Sequence, residues 1–146
     1  MERILVVDDD SVNLLIARAC LKDYYDVRTA SNGRLALRFL QKNDCDLILL
    51  DIVMPDINGI EVFKKIREDQ RLKDIPVVFL TSENDKETEG LCLESGAADF
   101  ISKPFVPEIL RLRVERIIDS ESIKKNLQNR LKQKEDELEN IKAKEK

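Results

Sequence analysis

The chain has 146 residues, a charged fraction of 37%, a formal net charge of −4 and no histidine. That length suits one domain with a full core plus an extension, the acidic balance argues against non-specific nucleic-acid binding, and the missing histidine excludes histidine triads, histidine metal ligands and a phosphohistidine of the chain's own. No run of about 18 apolar residues offers a membrane span, and the start at Met1-Glu2-Arg3 turns acidic too soon for a signal peptide, so a cytoplasmic location is expected.

Apolar runs of strand length alternate with stretches of helical period. Strands are expected at Ile4–Val7, Asp26–Thr29, Leu47–Leu50, Val77–Leu80 and Asp99–Ile101. Three are continuous apolar runs, as in parallel strands covered on both faces. Between them lie helical stripes: Val12, Leu15, Ile16 and Ala19; then Leu35, Ala36, Phe39 and Leu40; then Val62, Phe63 and Ile66. A weaker helix, Asp85 to Glu94, carries Gly90 inside it and ends at Ser95-Gly96; an interior glycine costs about 1 kcal/mol relative to alanine. Five such alternations give an open, doubly wound α/β fold with a five-stranded parallel sheet. Cys20, Cys45 and Cys92 lie far apart and read as small buried hydrophobes.

From Pro107 the pattern becomes one long helix. Residues 1–118 form the expected globular domain and 119–146 a helical extension. Leu110, Ile117, Leu131 and Leu138 share one heptad position, with Leu127 and Ile141 three residues further along; Ser120, Lys124 and Lys134 interrupt the seam. From Glu121 to Lys146 there are eight basic and six acidic residues and neither Gly nor Pro. Such a helix is marginal in water unless it packs. The seam reads as a coiled coil joining a homodimer, with a solvated linker helix as the rival.

Four strands finish in polar residues able to do chemistry. The first runs into Asp8-Asp9-Asp10, the third into Asp51, the fourth into Thr81-Ser82 and the fifth into Ser102-Lys103-Pro104. In a doubly wound sheet all of these fall at one edge, outside the carboxyl ends of the strands. Crowded carboxylates repel unless a cation neutralises them. An all-oxygen site of this kind suits Mg²⁺, with Mn²⁺ as a substitute, rather than zinc. Lysine and hydroxyl beside it complete a site shaped for phosphoryl oxygens.

The stretches Ile4-Leu5-Val6-Val7-Asp8-Asp9-Asp10, Leu50-Asp51-Ile52-Val53-Met54-Pro55-Asp56-Ile57-Asn58-Gly59, Leu80-Thr81-Ser82 and Phe100-Ile101-Ser102-Lys103-Pro104-Phe105 resemble the receiver domain of two-component response regulators, over roughly residues 2 to 118. The resemblance implies strand order 2-1-3-4-5 in a flavodoxin-like sheet. It makes Asp51 the phosphoacceptor, with Asp8, Asp9, Asp51 and the backbone carbonyl of Val53 as metal ligands. Thr81 and Lys103 would bind phosphoryl oxygens, and the Lys103–Pro104 peptide would be cis. Asp10 falls outside that set and reads as a helix N-cap. Gly59 reads as serving the turn after Met54-Pro55, where the next helix starts.

The resemblance also implies the mechanism. A sensor histidine kinase or histidine phosphotransfer protein supplies the phosphoryl group in trans, and the chain is a switch rather than an enzyme. Thr81 and Phe100 are the switch residues, Phe100 standing where tyrosine is commoner. Val53 and Glu83 flank the path of a hydrolytic water. The long last helix is similar to those leading to output domains that make or break cyclic-di-GMP, and Lys-Ala-Lys-Glu-Lys carries no stop signal, so a fragment cut before an output domain is expected.

Three rivals are weaker. Asp8-x-Asp10 also fits the nucleophile motif of haloacid-dehalogenase-type phosphatases, but no strand with a further acidic pair follows Lys103, and Asp51 would have no role. A pseudo-receiver serving only interaction tends to lose the acidic, Thr and Lys positions, all present here. A flavodoxin-like FMN carrier would need a hydroxyl- and glycine-rich phosphate loop after the first strand.

Overall fold

In this computed structural model the described residues are 1–82, 90 and 94–144. The strands are β1 (Arg3–Val7), β2 (Asp26–Ala30), β3 (Leu47–Asp51), β4 (Val77–Ser82) and β5 (Asp99–Lys103). The helices are α1 (Ser11–Leu21), α2 (Gly33–Lys42), α3 (Gly59–Glu68) and α4 (Pro107–Lys144). Gly90 and Glu94 are helical; the rest of the expected Asp85–Glu94 helix, with Glu83 and Cys92, lies outside the described residues. Gly96 has φ +98°, the left-handed conformation that a helix-stopping glycine adopts without a Cβ penalty.

All strands pair in parallel in the order β2-β1-β3-β4-β5, as expected. The chain moves outward from β1 to β2, then crosses back over β1 to β3. The strand order therefore reverses between β1 and β3, and a crevice opens at their carboxyl ends. Strand alternation sorts the core into two layers. Leu5, Val7, Ile48, Leu50 and Phe79 pack toward α2 and α3, whereas Ile4, Val6, Leu47, Leu49 and Leu80 pack toward α1 and α4. Each fully buried Leu or Ile contributes about 1.5–3 kcal/mol.

Side-chain caps start three helices where the sequence supplies a short polar residue. Asp10 accepts from Val12 N, Asn32 from Leu35 N and Asn58 from Glu61 N. Asp10 is thus the N-cap expected of it. Helix α1 departs from the expected stripe. Its buried residues are Ala17 and Leu21, while Val12, Leu15 and Ile16 are exposed. Apolar residues occur on more than one face of α1, and the face that packs on the sheet is the one carrying Leu14, Ala17 and Leu21. Cys20 donates from Sγ to the carbonyl of Pro107 at 2.9 Å, tying α1 to the start of α4.

Helix α4 runs unbroken for 38 residues. Its first four turns bury Leu110, Val114 and Ile118 in the core, with Ile117 packed against them. Leu110 and Ile117 therefore face the sheet and do not join Leu131 and Leu138 on a free seam. A heptad count cannot distinguish these roles, because a globular core and a coiled-coil partner select the same residue types. From Ser122 to Lys144 every residue is exposed. No helix among the described residues is long and apolar enough to cross a membrane.

Candidate functional site

The crevice between β1 and β3 receives its groups from strand ends, so their positions follow from strand register. Asp51 closes β3 opposite Leu80 of β4, and Thr81 extends one residue further, opposite Ser102 of β5. Asp8 follows directly on β1. Among the described residues, Asp8, Asp51 and Thr81 are the buried polar ones, at 0%, 2% and 2% exposure. Asp9 is exposed at the rim. Carboxylate oxygens of Asp8, Asp9 and Asp51 lie within 4.8 Å of one another.

Among the described residues one ammonium answers these carboxylates. Lys103 Nζ donates to Asp51 Oδ1 at 3.0 Å and stands 3.6 Å from Asp8 Oδ2. Its peptide bond to Pro104 is cis. Asp8 is otherwise held by its own neighbourhood: Asp10 N donates to Oδ1 at 3.0 Å and Asn13 Nδ2 to Oδ2 at 3.2 Å. Asp51 Oδ2, in contrast, is buried without a hydrogen-bond partner among the described residues. An orphaned carboxylate oxygen in a protein interior costs about 1–3 kcal/mol or more.

The charges do not balance. Two unit charges at such separations repel by roughly 3 kcal/mol at an effective dielectric near 20. Burial pushes the Asp51 carboxyl up to about 7, with the charge of Asp8 adding to the rise and the hydrogen bond from Lys103 opposing it. Burial alone would pull the Lys103 ammonium down; its hydrogen bond to Asp51 and the charges of Asp51 and Asp8 outweigh that and hold it above its ordinary value. Hard oxygen donors, an excess of negative charge and a bare inward-facing oxygen together fit a small divalent cation.

The backbone around Asp51 is equally constrained. Gly59 N donates to Ile52 O at 2.8 Å, and a Cβ on Gly59 would come within 2.3 Å of Asp51 O and 2.8 Å of Ile52 Cα. The glycine therefore lets α3 seat its first turn directly on the peptide of Asp51, which is more than the turn-forming task expected of it. Val53 lies two residues beyond Asp51 in the loop to α3 and is 76% exposed. Arg34 Nε on α2 meets Asp56 Oδ2 of that loop at 3.0 Å.

Phe100 is half-buried in β5 and packs on the α2–α3 core layer. Its carbonyl accepts from Arg113 Nη1 of α4 at 2.7 Å. Asn13 and Arg113 escaped the sequence reading. Asn13 follows Asp8 by five residues, within the first turn after the Asp10 cap, a spacing that would have suggested the contact. Arg113 left no comparable signal, because its partner is a backbone oxygen.

The family described as the response regulator receiver domain matches residues 4–115. Chemotaxis protein CheY1 of Helicobacter pylori is 35% identical over 119 residues, which span 80% of this chain and 96% of that protein. A probable cyclic di-GMP phosphodiesterase of Vibrio cholerae is 38% identical over 126 residues, covering 86% of this chain but 29% of that protein. Among solved structures, chemotaxis response regulator CheY4 of Vibrio cholerae superposes with a TM-score of 0.75 at 35% identity, over 80% of this chain and 98% of that one. The strand-end acidic cluster with Lys103, the strand order and these matches converge, and the chain belongs to the response regulator receiver domain family.

Proposed function

We propose that Asp51 is the phosphoacceptor, with Mg²⁺ held by Asp8, Asp9, Asp51 and the backbone carbonyl of Val53. The observation that carries this reading is the buried Asp51 carboxylate, one oxygen held by Lys103 and the other without a partner among the described residues. Mn²⁺ would substitute in the same oxygen set.

The bound cation would supply neutralising charge for the transferring phosphoryl oxygens. The remaining work falls to the chain's own groups, by positioning and electrostatics. The free carboxylate oxygen of Asp51 forms a P–O bond as the donor's P–N bond breaks. The donor imidazole leaves with the electron pair. The Lys103 ammonium then pairs with a phosphoryl oxygen, and the Thr81 hydroxyl donates to another. Thr81 and Phe100 act as the switch: the phosphorylated state favours a second packing of β5 and its neighbours, a population shift between two arrangements.

The donor is a phosphohistidine of a sensor kinase or phosphotransfer protein, since this chain has no histidine. Such a partner must present its imidazole at the strand ends. The exposed Val12, Leu15 and Ile16 of α1, with Val106 and Ile109 where α4 begins, offer an apolar docking surface beside that edge. The chain acts as a cytoplasmic switch rather than as an enzyme.

Residues 1–118 form the receiver unit, and 119–146 continue α4 as an arm that joins a homodimer and leads to an output domain. The chain spans 29% of the length of the Vibrio relative named as a probable cyclic di-GMP phosphodiesterase. An output of that class would be driven through α4.

Mass spectrometry after incubation with acetyl phosphate and Mg²⁺ tests the central reading. Wild-type protein should gain one phosphoryl group, and Asp51→Asn should gain none. Uptake by Asp51→Asn, or none by wild type, would overturn it. Steady turnover of many phosphate esters per chain would instead mark a phosphatase.

A further inference from the structure

We infer that the exposed arm of α4 pairs with a second copy of this chain, parallel and in register, around Leu127, Leu131, Leu138 and Ile141. This deepens the homodimer reading above and rests on it; the orientation and register are new.

Every residue of the arm from Ser122 to Lys144 is exposed, and the arm would extend about 34 Å at 1.5 Å per residue. A helix wet on every side is marginal. Yet Ile123, Leu127, Leu131, Leu138 and Ile141 are 55–61% exposed. At 100° per residue they fall within an arc of about 80°. That stripe is narrower than the face by which a helix joins a globular core, and it matches a two-helix seam.

Layer matching decides the orientation. With Leu131 and Leu138 at one heptad position and Leu127 and Ile141 at the other, a parallel in-register pair stacks each of the four on its own copy. An antiparallel pair must match one position with the other. With Ile117 already packed against the core, every such register joins seam Leu or Ile to seam Leu or Ile in two layers at most and sets the remaining apolar residues against Lys124, Lys134, Ser120, the core-packed Ile117 or nothing. The parallel arrangement therefore buries twice as many all-apolar layers.

Flanking charge agrees. In a parallel pair, residues at the edge of the seam meet the partner's residue five positions further on. Those combinations are Arg116 with Glu121, Arg130 with Glu135 and Glu137 with Lys142, all of opposite sign, while Ile123 with Gln128 is uncharged. None joins like charges. Lys124 and Lys134 meet their own copies within the seam, which weakens the pair while penalising shifted registers that would set them against leucine. Their aliphatic stems let the ammonium groups reach water.

The experiment uses the full chain with single cysteines introduced as Leu127→Cys or as Ile141→Cys, oxidised mildly, with the unsubstituted protein as control for the native cysteines. Parallel in-register pairing predicts an interchain disulfide in both variants. No antiparallel register serves both positions, because they lie 14 residues apart. Light scattering on the uncrosslinked protein should give a dimer, Lys134→Leu should tighten it tenfold or more, and Glu137→Lys should weaken it several-fold, with Lys142→Glu restoring it. A monomer at tens of micromolar, for wild type and Lys134→Leu alike, would overturn both this inference and the dimer reading. A dimer that crosslinks at one position or neither would overturn the register alone. Phosphoryl uptake, measured on the same samples, stands apart from either result.

Discussion

Gly59 and Asp51 are packed so closely that a single added Cβ would lie 2.3 Å from the Asp51 carbonyl oxygen. Neither group has room to give: the glycine opens α3 and the carbonyl belongs to the last residue of β3. Gly59→Ala should therefore displace the Asp51 peptide and destabilise the fold by about 1–3 kcal/mol, as overpacking does. Urea denaturation checks the stability, and acetyl phosphate uptake should slow along with it. An unchanged denaturation midpoint and uptake rate would show that the loop yields freely.

The raised Asp51 carboxyl gives the metal-free protein a pH dependence of definite sign. Asp51 titrates near 7 in the fold and near 3.9 in the unfolded chain, so between those values the folded state holds the extra proton. Its contribution to stability is greatest below about pH 4 and declines as pH rises through about 7. Thermal melts of the chelated protein should show that decline, and Asp51→Asn should remove it. Mg²⁺ added at pH 8 should raise the wild-type melting temperature well beyond any effect on Asp51→Asn. An equal decline in both proteins would assign the titration elsewhere.

Lys103→Ala removes the one cation that, among the described residues, is in contact with the buried carboxylates. Its expected signature is a loss of phosphoryl uptake on the order of 10²-fold, comparable to deleting one preorganised donor from a transition-state site. The titration of Asp51 in the fold should move further up as its counter-charge disappears, which is readable by NMR titration of the carboxyl carbon. Retention of both wild-type properties would remove Lys103 from the site.

Arg113 joins α4 to β5 through the Phe100 carbonyl at 2.7 Å and stands 3.6 Å from Asp99. Arg113→Met keeps the aliphatic stem but removes the donor. A loss of about 1–2 kcal/mol is expected, with faster amide exchange across Asp99–Lys103. If Phe100 reports phosphorylation to α4 through this bond, the variant should take up phosphate normally while exchange in α4 no longer responds to it. A response equal to wild type would show that coupling runs through the apolar contacts of Leu110 and Val114 instead.

The sequence by itself determined the alternation of elements, the strand order through the resemblance its motifs carry, and the gathering of Asp8, Asp51, Thr81 and Lys103 at one edge. Those features are local, since apolar runs, caps and strand-end residues report their own positions. Tertiary packing decided what local pattern could not. Val12, Leu15 and Ile16 look like a core stripe, yet the face carrying Leu14, Ala17 and Leu21 packs. Leu110 and Ile117 share a heptad position with Leu131 and Leu138, yet the first pair faces a sheet and the second faces solvent. Gly59 could have been any loop glycine until α3 was seen resting on the peptide of Asp51. In each case the physical reason is the same: hydrophobic periodicity states that a face will be covered, and only the fold states by what.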